Sequence, residues 1–235
     1  MFSYYGSKEN IVDHYPHPRH DMIIEPFAGS ARYALKHWQK DVILVDRFKV
    51  IIDIWKYLQA CTAAEIWDLP VIEAGKSVKD YRWDSQAQCD LMGFIIQYGS
   101  THPGRMPGAK MDAGGRHYHR NHLNFTKGRI VENLHKIKHW DIRHGDFRDI
   151  PNQKATWFID PPYVTGGQKY KYHKVDYGSL AKWSLQREGQ IIVCENGKAD
   201  WLPFKPFREN NGSKGKRQEV IYTNEPMYYQ QNLFT

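Results

Sequence analysis

The apolar run Ala155-Thr156-Trp157-Phe158-Ile159 ends abruptly at Asp160-Pro161-Pro162-Tyr163. A short run of this composition predicts a buried strand, and the prolines behind it prevent its continuation. Comparable runs recur at 22–24, 42–46, 140–144, 190–194 and 219–223. Helical patterns at 32–39 and 49–60 follow the first two. Strands alternating with helices predict an α/β chain with a doubly wound, mostly parallel sheet. Ligands of such sheets bind outside the carboxyl ends of the strands, so residues 160–163 are expected to border a ligand.

The tetrapeptide suits an exocyclic amine on a flat base. The Asp160 carboxylate can accept one N–H. The Pro161 carbonyl can accept the other, because its ring fixes the backbone direction. The Tyr163 ring can stack on the base face. Asp160, Pro161, Pro162 and Tyr163 are therefore candidate catalytic residues.

Lys and Arg number 33 against 26 Asp and Glu, a net charge of +7, with 12 histidines in addition. That balance favours a polyanionic partner. Cys61, Cys89 and Cys194 are odd in number and lack metal-ligand spacing, which points to a reducing compartment. The first motif begins within a few residues of Met1 and no long apolar run follows. No membrane association is expected, and a cytoplasmic protein, of a bacterial cell or a phage-infected host, is.

After the second strand the rhythm changes. Residues 62–138 show helical patches and few strand patterns, with a loop at 99–115 rich in Gly, Pro, Met and basic residues. A mostly helical inserted subdomain is expected there, with 1–61 and 139–235 forming the domain around it. The polar, basic stretch 210–217 predicts a hairpin tip.

Four further motifs surround the tetrapeptide. Phe2-Ser3-Tyr4-Tyr5-Gly6-Ser7-Lys8 offers a glycine for close backbone approach and a lysine for a carboxylate. Glu25-Pro26-Phe27-Ala28-Gly29-Ser30-Ala31, between strand and helix, can wrap a nucleoside over a helix start. It lacks the glycine-lysine-serine ending of a phosphate loop. Asp46 ends the second strand about 17 residues after Gly29, near the spacing at which nucleotide folds bind ribose hydroxyls. Gly145-Asp146-Phe147 follows the third strand and offers a carboxylate for an amine and a ring for packing.

The order of these pieces resembles the Dam-like N6-adenine DNA methyltransferases, in the alpha-group arrangement with cofactor motifs before the insert and the catalytic motif after it. Tyr172-His173-x-x-Asp176 is similar to the loop after the family's catalytic motif, and 212–217 to its C-terminal hairpin. The family's Phe-Asn-x-Pro element has no counterpart. The resemblance implies a Rossmann-like class I methyltransferase fold, S-adenosylmethionine as cofactor, double-stranded DNA as partner, a monomer or weak dimer, and a role of the restriction-modification kind. Tyr5, Gly6 and Lys8 would then hold the cofactor's methionine end, Glu25, Phe27 and Gly29 would frame it, Asp46 would bind its ribose, and Asp146 with Phe147 its adenine. In the insert, Arg105, Lys110, Arg116, Arg120, Lys127 and Arg129 are expected on phosphates, with Asn121 and Asn124 as base readers beside the arginines.

Other readings stay open. Cytosine N4 methylation uses the same amine geometry, and RNA or protein amino groups are related substrates. A non-catalytic nucleic-acid binder is possible on the same fold, as is a metal-dependent one, because His117, His119 and His122 are close enough to share an ion. No metal is expected, since no cysteine pair accompanies them. Cytosine C5 chemistry needs a nucleophilic cysteine, and Cys194 lies within a strand pattern without a preceding proline.

Overall fold

A computed structural model describes residues 1–73, 75–107, 115–212 and 215–226, with the side chains of 115–120, 210–212 and 215–217 outside the description. Seven strands form one sheet: β1 (Met22–Glu25), β2 (Asp41–Asp46), β3 (Asp141–His144), β4 (Ala155–Ile159), β5 (Gly189–Asn196), β6 (Lys205–Gly212) and β7 (Gly215–Thr223). Their order is β3-β2-β1-β4-β5-β7-β6. β1 to β5 pair in parallel, while β7 runs antiparallel to both β5 and β6. The chain is thus an α/β protein with a mostly parallel sheet, compatible with a Rossmann-like fold.

Strand periodicity explains the two cores. Ile23, Val42, Leu44, Phe158, Ile192, Cys194 and Ile221 face one side. Ile24, Ile43, Val45, Trp157, Ile159, Ile191 and Val193 face the other. Both faces are covered, so the central strands read as continuous apolar runs rather than alternating ones. The first face is covered by α1 (Arg32–Lys36), α2 (Lys49–Ala60) and later helices. In α2 the buried residues include Ile51, Ile54, Trp55 and Leu58, a single stripe at helical spacing. On the second face, Leu180 and Trp183 of the C-terminal helix Tyr177–Leu185 pack beside Phe147 and Trp157.

Between β2 and β3 the described residues form α3 (Ala63–Asp68), α4 (Gln86–Ile96) and α5 (Gly115–Val131), with short 3-10 turns; Tyr177–Leu185 is then α6. α4 is buried nearly all round, and Phe94 meets Phe2 at 5.7 Å and Tyr4 at 5.6 Å between ring centroids. These helices therefore share the first core with the sheet, through Leu91, Met92, Leu123 and Ile130.

Some element bounds differ from the sequence expectation. α1 stops at Lys36 instead of reaching 39, because the backbone leaves helical geometry at His37 (φ −111°, ψ 35°) and the chain must turn into β2. β7 begins at Gly215 and pairs with β6, a polar strand containing Pro206 that gave no apolar signal. The stretch 210–217 expected as a hairpin tip is largely paired strand, since β6 runs to Gly212 and β7 starts at Gly215; 213–214 lie outside the described residues.

Strand order reverses between β1 and β4: β2 and β3 lie to one side of β1, while β4 and β5 extend the other way. Glu25 ends β1 and Asp160 follows β4, so both stand at this reversal, where open sheets leave a crevice.

Candidate functional site

A cavity of about 210 Å³ opens at that crevice. Tyr5, Gly6, Lys8, Glu25, Phe27, Gly29, Asp46, Asp146, Phe147, Asp160 and Pro162 all line it. Segments far apart in sequence are thus brought to one place by the parallel strand ends.

The Glu25–Ala31 turn owes its shape to two left-handed residues, Gly29 at φ 44° and Ala31 at φ 43°. The second is strained for a residue with a Cβ, and such strain concentrates at binding sites. Asp46 holds the turn, accepting the Gly29 N–H at 3.0 Å on Oδ2 and the Phe48 N–H at 2.8 Å on Oδ1. Burial pushes its pKa up to about 6 against these two donors. Glu25, 3 % exposed, accepts the Ala34 N–H at 2.7 Å. Burial raises its pKa to about 8, with the Ala34 donor opposing and the charge of Asp160 adding. Asp146 caps the turn after β3, accepting the Arg148 N–H, while its Oδ2 is buried with no hydrogen bond and has Arg47 Nε 3.3 Å away as an ion-pair partner.

Gly6 adopts φ 74°, and a Cβ there would stand 2.4 Å from Tyr170 Oη. That hydroxyl donates to the Tyr5 carbonyl at 2.8 Å and so ties the N-terminal segment to the loop after the tetrapeptide. The same loop is pinned twice more. Tyr177 Oη donates to the Pro162 carbonyl at 2.7 Å, and buried Glu195 of β5 accepts the Val164 N–H at 2.8 Å. Rigid support of this kind keeps a site's geometry fixed.

Lys8 does not reach across the cavity. It is 7 % exposed, and its Nζ lies 2.9 Å from Asp160 Oδ1 and 3.4 Å from Glu219 Oε1, with a further hydrogen bond to the Gly6 carbonyl. Burial alone would lower the Lys8 pKa, but the two carboxylates outweigh it and hold it above its ordinary value. Burial raises the Asp160 pKa; Lys8 opposes and Glu219 adds to that rise. Two carboxylates around one ammonium is a costly arrangement to bury, and weak support for stability.

Tyr163 sits beside the cavity rather than in its wall. Its hydroxyl donates to Glu219, and Lys8 Nζ lies 4.5 Å from its ring centroid. Pro161 is buried and likewise does not line the cavity. Glu219 has no counterpart among the residues expected from sequence. The available signal was its place two residues before Ile221 on a strand, hence on the same face as a core residue.

No family model matches the chain, and no curated protein matches it significantly.

Among the residues expected on nucleic acid, Arg105, Asn121 and Asn124 are exposed. Arg129 is half-buried and paired with Glu9. Lys127 does not fit its expected role. Only 2 % of it is exposed, and its ammonium donates to the carbonyls of Trp67, at 3.0 Å, and Leu69. Its charge is spent inside, joining α5 to the end of α3. Lys110 lies outside the described residues, as do the side chains of Arg116, Arg120, His117 and His119. Among the described residues no group of three or more His, Cys, Asp or Glu side chains can hold a metal, and no helix is long and apolar enough to cross a membrane.

Proposed function

We propose that this chain transfers a methyl group from S-adenosylmethionine to the N6 amine of an adenine in duplex DNA. The observation that carries this reading is one junction. Asp160-Pro161-Pro162-Tyr163 leaves the end of β4 at the strand-order reversal, with Asp160 and Pro162 on a cavity whose other walls carry Glu25, Asp46 and Asp146. The class I methyltransferase fold, with 1–61 and 139–235 binding the cofactor and 62–138 reading the target, belongs to the same proposal.

The residues present fit that cofactor. Asp146 Oδ2 is a buried acceptor still lacking a hydrogen bond, suited to an adenine amine. Each Asp46 oxygen takes one backbone N–H, leaving acceptor capacity for ribose hydroxyls. Phe27 and Phe147, 5.6 Å apart, provide apolar walls. Lys8 is engaged with Asp160 and Glu219, so Gly6, Tyr5 and the remaining polar wall take the methionine end. When bound, S-adenosylmethionine supplies an electrophilic methyl on a sulfonium.

The target amine is paired inside a duplex and must be turned out of the stack. Asp160 would then accept one amine hydrogen, sharing its carboxylate with Lys8; the Pro161 carbonyl, which lies outside the cavity lining, would accept the other only from a base that enters beside the cavity. This draws the nitrogen lone pair out of the ring and points it into the cavity. As the new N–C bond forms and the methyl–sulfur bond breaks to leave a neutral thioether, Asp160 would take the proton that the amine sheds. Positioning supplies most of the rate, since no enzyme nucleophile is required.

The test is incubation with a mixed-sequence duplex and methyl-labelled S-adenosylmethionine, followed by digestion to nucleosides. Label on N6-methyl-2′-deoxyadenosine supports the proposal, and label on N4-methyl-2′-deoxycytidine selects its chemical sibling. A protein that binds the cofactor but labels no duplex DNA, including one that labels only RNA, refutes it.

A further inference from the structure

We propose that Glu219 is a positioning residue for the reaction at Asp160, holding Lys8 and Tyr163 so that the Asp160 carboxylate stays open to the incoming amine. The inference rests on the amine-methylation reading of the cavity. It starts from a single oxygen. Glu219 Oε1 accepts the Tyr15 hydroxyl at 3.0 Å and the Tyr163 hydroxyl, and faces Lys8 Nζ at 3.4 Å. Lys8 in turn meets Asp160 at 2.9 Å and the Gly6 carbonyl at 3.3 Å. Glu219 is 8 % exposed and arrives on β7, in register with Asn196 of β5. An acid is seldom buried to this degree without a partner that needs it.

The arrangement has a physical use. A lysine facing Asp160 alone would neutralise it and occupy its oxygens. A second carboxylate shares the ammonium, so Lys8 can shift weight toward Glu219 when the amine arrives. The same oxygen fixes Tyr163, whose place decides where a base can lie. The groups facing Glu219 are Lys8 and Tyr15 from the N-terminal segment, Asp160 and Tyr163 after β4, and Cys194 from β5, with Arg208 opposite it in the β6–β7 register.

Glu219→Gln keeps the shape and an acceptor for the hydroxyls but removes the charge. Its kcat should fall about 10–100-fold, the scale of a small displacement near the reacting atoms. The dissociation constant for S-adenosylmethionine should stay within threefold. The pH–rate limb that reports Asp160 should move to lower pH, because the neighbouring negative charge that raises it is gone. A merely structural role would move neither that limb nor kcat without the melting temperature. Glu219→Asp, which keeps the charge but withdraws it by one methylene, serves if the glutamine variant does not fold, and should recover the limb without full kcat. Turnover within threefold of wild type, with an unshifted limb, overturns the inference. If wild type transfers no methyl group, the parent reading fails separately. The ¹⁵Nζ resonance of Lys8 then decides: a shift in Glu219→Gln supports the link, and an unmoved resonance overturns it.

Discussion

Replacing Gly6 with alanine tests the cavity's construction at its tightest contact. The backbone there is left-handed at φ 74°, which costs an L residue about 1–2 kcal/mol. The new methyl would also lie 2.4 Å from Tyr170 Oη, inside contact distance. Relieving that overlap costs about 1–3 kcal/mol more, by the scale of overpacked interiors. Together the change should destabilise the fold by about 2–5 kcal/mol, or roughly 4–20 °C in Tm for a chain of this size. Urea and thermal unfolding measure it directly. The double variant with Tyr170→Phe isolates the cause. Removing the hydroxyl alone costs about 1 kcal/mol through its bond to the Tyr5 carbonyl. In the Gly6→Ala background it should cost nothing or restore stability, a coupling of at least about 1 kcal/mol. Additive losses, or a Gly6→Ala variant within about 0.5 kcal/mol of wild type, would refute this account of the contact.

Asp160→Ala should abolish methyl transfer while S-adenosylmethionine affinity stays within severalfold; measurable turnover by nucleoside analysis would remove Asp160 from the chemistry. Glu25 is protonated more readily folded than unfolded, its pKa rising from 4.5 to about 8 through burial. Its contribution is therefore full below pH 4.5 and is lost as pH rises through about 8, by an amount on the order of a few kcal/mol. Glu25→Gln should flatten stability over that window in urea titrations, and an unchanged slope would contradict the assignment. Lys127→Met should cost about 1–3 kcal/mol by stranding the Trp67 and Leu69 carbonyls. Once folded, the variant should show the wild-type salt dependence of DNA binding, whereas a slope lowered by about one would restore a phosphate role.

What could be read from the chain and what could not divide along physical lines. That Glu25, Asp46 and Asp160 meet at one cavity was legible because each terminates an apolar run, and strand ends in a parallel sheet converge whatever the intervening sequence. Lys127 was misread because a basic residue on a basic helix looks solvated, and nothing local reveals two carbonyls waiting at the end of α3. The place of Glu219 beside Lys8 and Tyr163 was invisible in the sequence. Its partner Tyr15 is 204 positions away, and the contact depends on β7 entering antiparallel beside β5. β6 gave no strand signal because its residues are polar and its pairing is supplied by β7. The covering role of α4 is likewise a tertiary fact. Its apolar character announces burial, but not that Phe94 would meet Phe2.

The walls of the cavity run from Tyr4 through Asp46 and Asp146 to Ser179. No shorter fragment holds a complete binding surface, so a guest engages only chains whose strand ends have all assembled. At a hundred times its dissociation constant such a guest adds about 2.7 kcal/mol. That increment should appear as slower exchange of the most protected amides in the central strands, leaving the edge strand β6 untouched.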